Sequence, residues 1–389
     1  MRILSVGAMS VVFCCVTALS QPSQQASLSC SNYITVIADN GLVVEELNAD
    51  EKRAPASMVK LILVLMVAEG LETGKWSLDT QITVSKTAQS MGGTQVQIKA
   101  GDVYSLDTLL QAVCVASAND GAYAVAEGLW GDEATYLAAA NVRAQELGMT
   151  NTTIRSVHGL PPSAGELADE TTARDMATLS CATVKNSQIM KWVGMKELVF
   201  RPGEDPKQNT NKLLARMAGC DGLKTGYTRA AGFCLTATAI RNDVRLITVV
   251  MGCPRLKDRF DTADVLLEGA FTQVRRVRLL AADTLVDPAI TLRNATQSTL
   301  RLAPEHDVWV TATESAFKQM TFETTTPKLL QAPLSMGQQA GSVTVKLAGR
   351  VMGETPLRVP MAVEEPSVFW KLTHRVREKA DEAQPAFGG

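Results

Sequence analysis

The sequence predicts an α+β domain followed by a small all-β domain. Segments with strand-like alternation lie at 31–52 and 220–253, on either side of a helix-rich middle, which favours one sheet built from distant parts of the chain. After about residue 276 the helical pattern gives way to short alternating runs separated by Pro and Gly turns. A length of 389 residues leaves room for two domains of ~150 residues or more.

Composition excludes some classes of partner. Lys and Arg number 38 against 40 Asp and Glu, a formal net charge of −2, so the basic surplus of a nucleic-acid-binding protein is missing. A hydrophobic fraction of 46% and a charged fraction of 20% are typical of a folded globular protein. Three histidines in the whole chain argue against a His-rich metal site.

The N-terminus, residues 1–20, has the pattern of a secretory signal peptide. Arg2 precedes an apolar core, and small residues at Ala18 and Ser20 predict cleavage after Ser20. The core is shorter than the ~20 residues that span a bilayer, which disfavours the alternative of an uncleaved anchor helix. We therefore expect an exported protein, in the periplasm or at the outer face of the cytoplasmic membrane.

Six cysteines follow the predicted signal, and none has the CxxC spacing of a zinc site. Export permits disulfides, but a chain of this length folds without them, so buried free thiols are an equal alternative. Three of the six fall on neighbouring predicted strands, and the connectivity stays open. They are Cys30, Cys114, Cys181, Cys220, Cys234 and Cys253, the last three being those on the strands.

The predicted first domain spans residues 25–274. It begins with a hairpin that turns at Asn40-Gly41, followed by a helix over 57–71 that is apolar nearly all round and so belongs inside the core. Helical and loop segments continue to about residue 200. Three strands over 220–253 and a last helix, RFDTADVLLEGAFTQV, complete the domain.

The C-terminal part predicts a small β-sandwich over 275–364 and an amphipathic helix over 366–382. VWVTAT, KQMTFET and SVTVKLAG alternate as strands do, and no cluster of catalytic residue types accompanies them. The helix carries Val368, Phe369, Leu372 and Val376 on one stripe with basic residues beside it, a pattern that suits a membrane interface. A solvated terminal helix packing on its own domain is the alternative.

Ser57 and Lys60 open the predicted buried helix. Positions i and i+3 share a helical face, so the hydroxyl and the amine can meet. Burial lets a lysine lose its proton near neutral pH, and the helix N-terminus favours developing negative charge, which together suit a Ser-Lys nucleophile pair. S-x-x-K alone is weak evidence, because it occurs by chance about once in such a chain.

Two further motifs follow in a defined order. Ser117-Ala118-Asn119 lies 60 residues after Ser57, at the end of an apolar helix, and Lys224-Thr225-Gly226 lies 167 residues after it, on a strand. With these three motifs the chain resembles the penicillin-recognising serine enzymes. It resembles most the low-molecular-mass D-alanyl-D-alanine carboxypeptidases, through PASMVK, HGL at 158–160, NTNKLL, DGLKTGYT and RLITVVMG, up to Arg259. Ala118 departs from the Gly of many members but keeps the position small.

This resemblance implies a β-lactamase/transpeptidase-like fold and an acyl-enzyme mechanism. Ser57 would attack the carbonyl of the penultimate D-Ala and release the terminal D-Ala, with Lys60 as general base. Ser117 and Lys224 would support Lys60 through hydrogen bonds, and Asn119 would orient Lys60 and the substrate backbone. Peptidoglycan stem peptides are the implied substrates and β-lactam antibiotics the implied covalent inhibitors, without a metal or organic cofactor.

The third motif would supply the remaining contacts. The backbone N–H groups of Ser57 and Tyr227 would form the oxyanion hole, and Gly226 and Tyr227 would belong to the substrate-binding segment. Thr225 and Arg259 would hold the terminal carboxylate of the substrate. An Arg near a helix start is more often solvated or salt-bridged, so the assignment of Arg259 rests on similarity alone.

Other functions fit the residues less well. A class A β-lactamase would carry E-x-x-L-N between the second and third motifs, whereas Glu166 stands in GELADE without the Leu-Asn. A Ser-His-Asp hydrolase lacks its G-x-S-x-G, and His158, the one histidine of the first domain, fits a structural or site-edge role. An endopeptidase that cuts peptidoglycan cross-links, and a non-catalytic stem-peptide-binding protein, remain as alternatives.

Overall fold

The structure is a computed structural model that describes residues 28–372, apart from residues 164 and 283. The predicted signal peptide at 1–20 lies outside the described residues. So do residues 373–382 of the predicted terminal helix.

The first part of the chain combines nine strands and nine helices among the described residues. The strands are β1 (Asn32–Ile37), β2 (Val43–Leu47), β3 (Gln81–Thr83), β4 (Val103–Ser105), β5 (Glu197–Leu198), β6 (Lys207–Gln208), β7 (Cys220–Thr228), β8 (Gly232–Arg241) and β9 (Val244–Cys253). The helices are α1 (Lys60–Glu72), α2 (Lys86–Ser90), α3 (Leu106–Val115), α4 (Asn119–Trp130), α5 (Glu133–Glu146), α6 (Ala173–Thr183), α7 (Ser187–Gly194), α8 (Leu213–Arg216) and α9 (Asp258–Gln273).

The central sheet joins the two ends of this region, as the sequence predicts. Its antiparallel order is β2-β1-β9-β8-β7, which leaves β7 at one edge. Successive side chains of β9 alternate between two cores, with Ile247 and Val249 facing one and Leu246 and Val250 facing the other. Helices α1 and α3–α7 cover the first face, and α9 covers the second.

Helix α1 is buried on almost every side, which explains its uniformly apolar sequence. Leu61, Ile62, Leu63 and Val64 are at most 1% exposed. The predicted helix over 57–71 differs at its start, because Ala56–Val59 forms a 3-10 turn before the α-helix begins at Lys60. The tighter turn keeps Ser57 one turn ahead of Lys60.

A disulfide closes the ends of the central sheet. Cys30 before β1 is bonded to Cys253 at the end of β9. Cys114, Cys181, Cys220 and Cys234 are free thiols. The strand neighbours Cys220, Cys234 and Cys253 are therefore not bonded to one another.

As far as Arg358, the described residues of the second part of the chain form a β region with one short helix. A six-stranded sheet has the order β14-β16-β17-β12-β11-β15, and β10 pairs with β13. The short helix α10 has no counterpart in the sequence prediction. The elements are β10 (Val274–Leu280), β11 (Val286–Arg293), β12 (Thr299–Pro304), β13 (Val308–Thr313), α10 (Glu314–Phe317), β14 (Met320–Thr325), β15 (Leu329–Gln331), β16 (Gln339–Leu347) and β17 (Arg350–Arg358).

The described part of the chain ends in a short helical segment. Residues 368–372 are helical, and Val368, Phe369 and Leu372 are 76%, 78% and 62% exposed. Among the residues with described structure, none of the helices has both the length and the apolar character needed to cross a bilayer.

Candidate active site

The first Ser-Lys pair lies where the 3-10 turn passes into α1. Lys60 Nζ is 2.8 Å from Ser57 Oγ, and the Lys60 side chain is fully buried. Ala56, immediately before the serine, has a φ of +49°, a left-handed conformation that L residues seldom adopt. The strained backbone turns the half-buried serine hydroxyl toward the lysine amine, as the i, i+3 spacing predicts.

A backbone carbonyl completes this pair. The oxygen of His158 lies 2.9 Å from Lys60 Nζ and 3.4 Å from Ser57 Oγ. Gly159 follows with a φ of +77°, and a Cβ there would lie 2.2 Å from the carbonyl oxygen of Ala56. Only glycine allows this approach, which brings the His158 carbonyl up to the Ser-Lys pair.

The second Ser-Lys pair lies across the site. Ser117 occupies the turn between α3 and α4 with a φ of +64°, and Lys224 Nζ is 2.8 Å from its Oγ. Lys224 also donates to the carbonyl of Thr225 at 3.1 Å, and its side chain is 2% exposed. The structure thus brings the second and third motifs into direct contact.

Edge strand β7 lies close to the nucleophile segment because Gly226 has no side chain. A Cβ at Gly226 would lie 2.7 Å from the carbonyl oxygen of Pro55. Beside it, Thr225 Oγ1 donates to Thr210 Oγ1 at 2.8 Å. Tyr227 is 54% exposed and stacks on Phe233, with ring centroids 4.2 Å apart. The open edge of β7 therefore faces the site.

Asn119 is buried at the start of α4, with one of its two amide atoms bonded. Its Nδ2 donates to the carbonyl of Gly92 at 2.7 Å, and its buried Oδ1 has no partner among the described residues. Among the described residues no hydrogen bond joins Asn119 to Lys60, and the Asn119 amide holds the loop at Gly92. The free oxygen is an acceptor available to a substrate N–H group.

Arg259 is neither solvated nor salt-bridged among the described residues. It is 7% exposed, and its Nη1 donates to the carbonyls of Gly226 at 3.1 Å and Cys234 at 3.4 Å. Its guanidinium also lies over the rings of Phe233 and Phe260. Burial lowers the pKa of Arg259 to about 10. The guanidinium thus lies behind β7 and supports the third motif.

Burial dominates the electrostatics of both lysines. It holds the pKa of Lys60 well below its ordinary value, and the nearby charge of Lys224 lowers it further, while Asp169 and Asp120 act in the opposite direction. Burial lowers the pKa of Lys224 to about 7, with Arg259 adding to the effect. Lys60 therefore reaches its basic, unprotonated form far more readily than a solvated lysine.

Two family profiles match consecutive parts of the chain. The profile of the peptidase S11 family, D-alanyl-D-alanine carboxypeptidase, matches residues 17–255, and that of the penicillin-binding protein 5 C-terminal domain matches residues 276–365. The D-alanyl-D-alanine carboxypeptidase DacC of Escherichia coli is 31% identical over 363 residues, covering 91% of this chain and 89% of that protein.

Solved structures agree with the sequence relatives. Penicillin-binding protein 5 from Haemophilus influenzae is 26% identical with a TM-score of 0.68, covering 89% of this chain and 100% of that one. Penicillin-binding protein D2 from Listeria monocytogenes, in its ampicillin-bound form, is 28% identical with a TM-score of 0.57, covering 64% and 100%. The predicted fold class is thereby confirmed. Because the family profile spans more than half of the chain, this protein belongs to the peptidase S11 family of D-alanyl-D-alanine carboxypeptidases, which are serine hydrolases.

Proposed function

We propose that this carboxypeptidase removes the terminal D-Ala of peptidoglycan stem pentapeptides through an acyl-enzyme on Ser57. The observation that carries the assignment is the 2.8 Å contact between Ser57 Oγ and the amine of a fully buried lysine, Lys60. A buried amine with a lowered pKa can accept the serine proton during attack.

Acylation then proceeds in two stages. Ser57 Oγ bonds to the carbonyl carbon of the penultimate D-Ala and passes its proton to Lys60 Nζ, while the N–H groups of Ser57 and Tyr227 bind the oxyanion. Collapse breaks the C–N bond, and the leaving nitrogen takes up the proton held by Lys60, which is then unprotonated again. Lys60 next accepts a proton from water as the water attacks the ester, and it returns this proton to Ser57 Oγ when the acyl group leaves. Each oxyanion donor contributes ~3 kcal/mol to such a step.

The substrate's terminal carboxylate is assigned to the end of β7. Lys224, when protonated, would supply a positive charge there, and Thr225 would turn to the carboxylate the hydroxyl proton that it donates to Thr210 Oγ1 in this structure. Arg259 has no carboxylate partner within the described residues, so its positive charge behind Gly226 adds to the attraction for the anionic terminus. Asn119 offers its unpartnered oxygen to the peptide N–H group.

Release of free D-alanine from a pentapeptide ending in D-Ala-D-Ala tests the assignment. We expect Ser57→Ala to abolish release and to lose the covalent penicillin adduct seen by intact mass spectrometry, since no other nucleophile replaces Oγ. Ser298→Ala, an exposed serine of the second region, is the matched control and should retain both.

Two outcomes would redirect the assignment. Penicillin uptake without D-alanine release, together with cleavage of a cross-linked dimer, would establish an endopeptidase. A folded wild-type protein with neither adduct nor release would leave a stem-peptide-binding role.

We propose that residues 25–274 form the catalytic domain and residues 275–364 a β-sandwich domain. Support comes from the strand pairing. The last strand of the central sheet in chain order is β9, and the six-stranded sheet contains only strands that come later in the chain. Two separate hydrophobic clusters also lie within the second region. All three catalytic motifs belong to the first region.

We propose that the enzyme is exported and acts in the periplasm or at the outer face of the cytoplasmic membrane. The signal-like residues 1–20 and the Cys30–Cys253 disulfide support this, because disulfides persist in oxidising compartments. We expect the mature protein to begin at Gln21, which the intact mass of protein recovered from outside the cytoplasm measures. Accumulation of the full-length chain in the cytoplasm would contradict it.

We also propose that residues 366–382 bind peripherally to membrane. The exposed apolar side chains of Val368, Phe369 and Leu372, with basic residues in the same segment, support an interfacial helix. We expect the protein to sediment with anionic vesicles and a triple variant with serine at these three positions to stay in the supernatant. Equal sedimentation of both would rule out insertion of the apolar stripe.

A further inference from the structure

The turn that presents the His158 carbonyl is held from behind by a buried carboxylate. Asp169 is 5% exposed, and its Oδ1 accepts the backbone N–H groups of Arg155 at 2.6 Å and Ser156 at 2.9 Å. Ser156 Oγ donates to Asp169 Oδ2 at 2.7 Å. The same hydroxyl accepts the N–H of Gly159 at 2.8 Å. Asp169 and Ser156 thus fix both ends of a tight turn.

The front of this turn contacts the catalytic pair. The His158 carbonyl lies between Lys60 Nζ at 2.9 Å and Ser57 Oγ at 3.4 Å. Gly159 lies against the main chain of Ala56, with no room for a Cβ. A chain of direct contacts therefore runs from the Asp169 carboxylate, through Ser156 and the turn, to the amine of Lys60.

The hydrogen bond from Lys60 to the His158 carbonyl can orient the neutral amine. An unprotonated lysine has two N–H donors and one lone pair. When one N–H is held by the His158 carbonyl, rotation of the amine about its terminal C–N bond is restricted, and the lone pair can be directed at the Ser57 hydroxyl. Without that acceptor the amine rotates among orientations of which few can take the serine proton.

We propose that Ser156 and Asp169, which belong to none of the three motifs, are positioning residues for the general base. They act on acylation by fixing the His158 carbonyl as the acceptor that orients Lys60. The inference rests on the proposed function, in which Lys60 deprotonates Ser57. Neither residue touches the substrate in this mechanism.

Acylation by a fluorescent penicillin separates this role from a merely structural one. The dependence of the observed rate on penicillin concentration gives the dissociation constant of the non-covalent penicillin complex and the acylation rate constant. The protein concentration is taken as the concentration of Ser57 that penicillin can label. Ser156→Ala removes both of its side-chain bonds while Asp169 keeps its charge. We expect the rate constant to fall ~10-fold or more with the dissociation constant unchanged, because small misplacements of reacting groups are costly in rate.

Matched variants sharpen the result. Ser156→Thr keeps the hydroxyl and should restore the rate constant. Asp169→Asn removes one acceptor from the turn and should lower the rate constant at high pH, where Lys60 is unprotonated with or without the Asp169 charge. Asp175 is an equally buried carboxylate that bonds Asn151 N and Thr152 Oγ1, so Asp175→Asn serves as the control for loss of a buried charge. It should leave the rate constant unchanged.

The outcomes are distinct. An unchanged rate constant in both Ser156→Ala and Asp169→Asn, or an equal loss in Asp175→Asn, would overturn the positioning role. Wild-type protein that is never acylated at Ser57 would instead overturn the proposed function itself. A rise in the dissociation constant alone would place the turn in penicillin binding and also contradict the inference.

Discussion

Replacing Lys60 by methionine is expected to slow penicillin acylation by about 10³-fold while raising the temperature of unfolding. The loss follows because the amine 2.8 Å from Ser57 Oγ is the group placed to accept the serine proton. The gain follows because Lys60 is fully buried beside the Lys224 charge, and burial strongly disfavours its charged form. Methionine fills a similar volume without that penalty.

The expected gain in stability is ~1 kcal/mol, the size typical when a functional but unfavourable residue is replaced. Stopped-flow acylation and thermal unfolding measure the two effects on the same protein. Lys191→Met, on the exposed side of α7, is the matched control and should change neither. A Lys60→Met protein that is both slower and less stable would show that the amine's hydrogen bonds to Ser57 and His158 outweigh its desolvation.

The sequence predicts the architecture well where a pattern repeats along one element. The all-round apolar helix at 57–71 and the alternation along 220–253 each follow from burial on defined faces, and both are found as α1 and β7–β9. The 3-10 turn before α1 and the short helix α10 were not predictable in this way. Each spans four residues, too few to show a period.

The motif side chains of the site were also predictable from their spacing. Ser57 and Lys60 meet through their i, i+3 spacing in one continuous helical segment, and this spacing can be read directly from the sequence. The His158 carbonyl could not be found in that way, because every residue has a carbonyl and its direction depends on a turn fixed by Asp169. Glycine in HGL was the available signal, since Gly159 is required by the approach to Ala56.

Contacts between segments that are distant in the sequence could not be predicted either. The Cys30–Cys253 bond depends on β1 pairing with β9, a long-range register that six scattered cysteines do not reveal. Asn119 likewise bonds the carbonyl of Gly92, because the loop after α2 lies against the second motif. Both contacts join residues whose proximity exists only after the sheet and the helices have assembled.

Removing the charge of Lys224 should move the pH dependence of acylation upward. The protonated amine of Lys224 disfavours a second positive charge on Lys60 and so lowers the pKa of Lys60. In Lys224→Gln that like charge is gone, while the carboxylates of Asp169 and Asp120 still favour the protonated form of Lys60. The pKa of Lys60 must therefore rise, and the pH at which the base becomes unprotonated rises with it.

The second-order rate constant for penicillin acylation, measured from pH 5 to pH 10, reports the groups of the free enzyme. In the wild type we expect a rising limb as Lys60 loses its proton and a falling limb as Lys224, with its pKa lowered to about 7, loses the charge that attracts the penicillin carboxylate. In Lys224→Gln the rising limb should shift upward by ~1 pH unit and the falling limb should disappear. Lys212 is an exposed lysine 12 residues before Lys224, so Lys212→Gln is the control and should leave both limbs in place.

The direction of the shift is what distinguishes the two lysines. If Lys224 were the base, its replacement would remove the rising limb altogether, leaving a slow and pH-independent reaction. If the two amines did not interact, the rising limb would stay where it is and the rate alone would fall. Only a base at Lys60 that is coupled to a neighbouring cation predicts that the rising limb of Lys224→Gln keeps the shape of the wild-type limb and lies at higher pH.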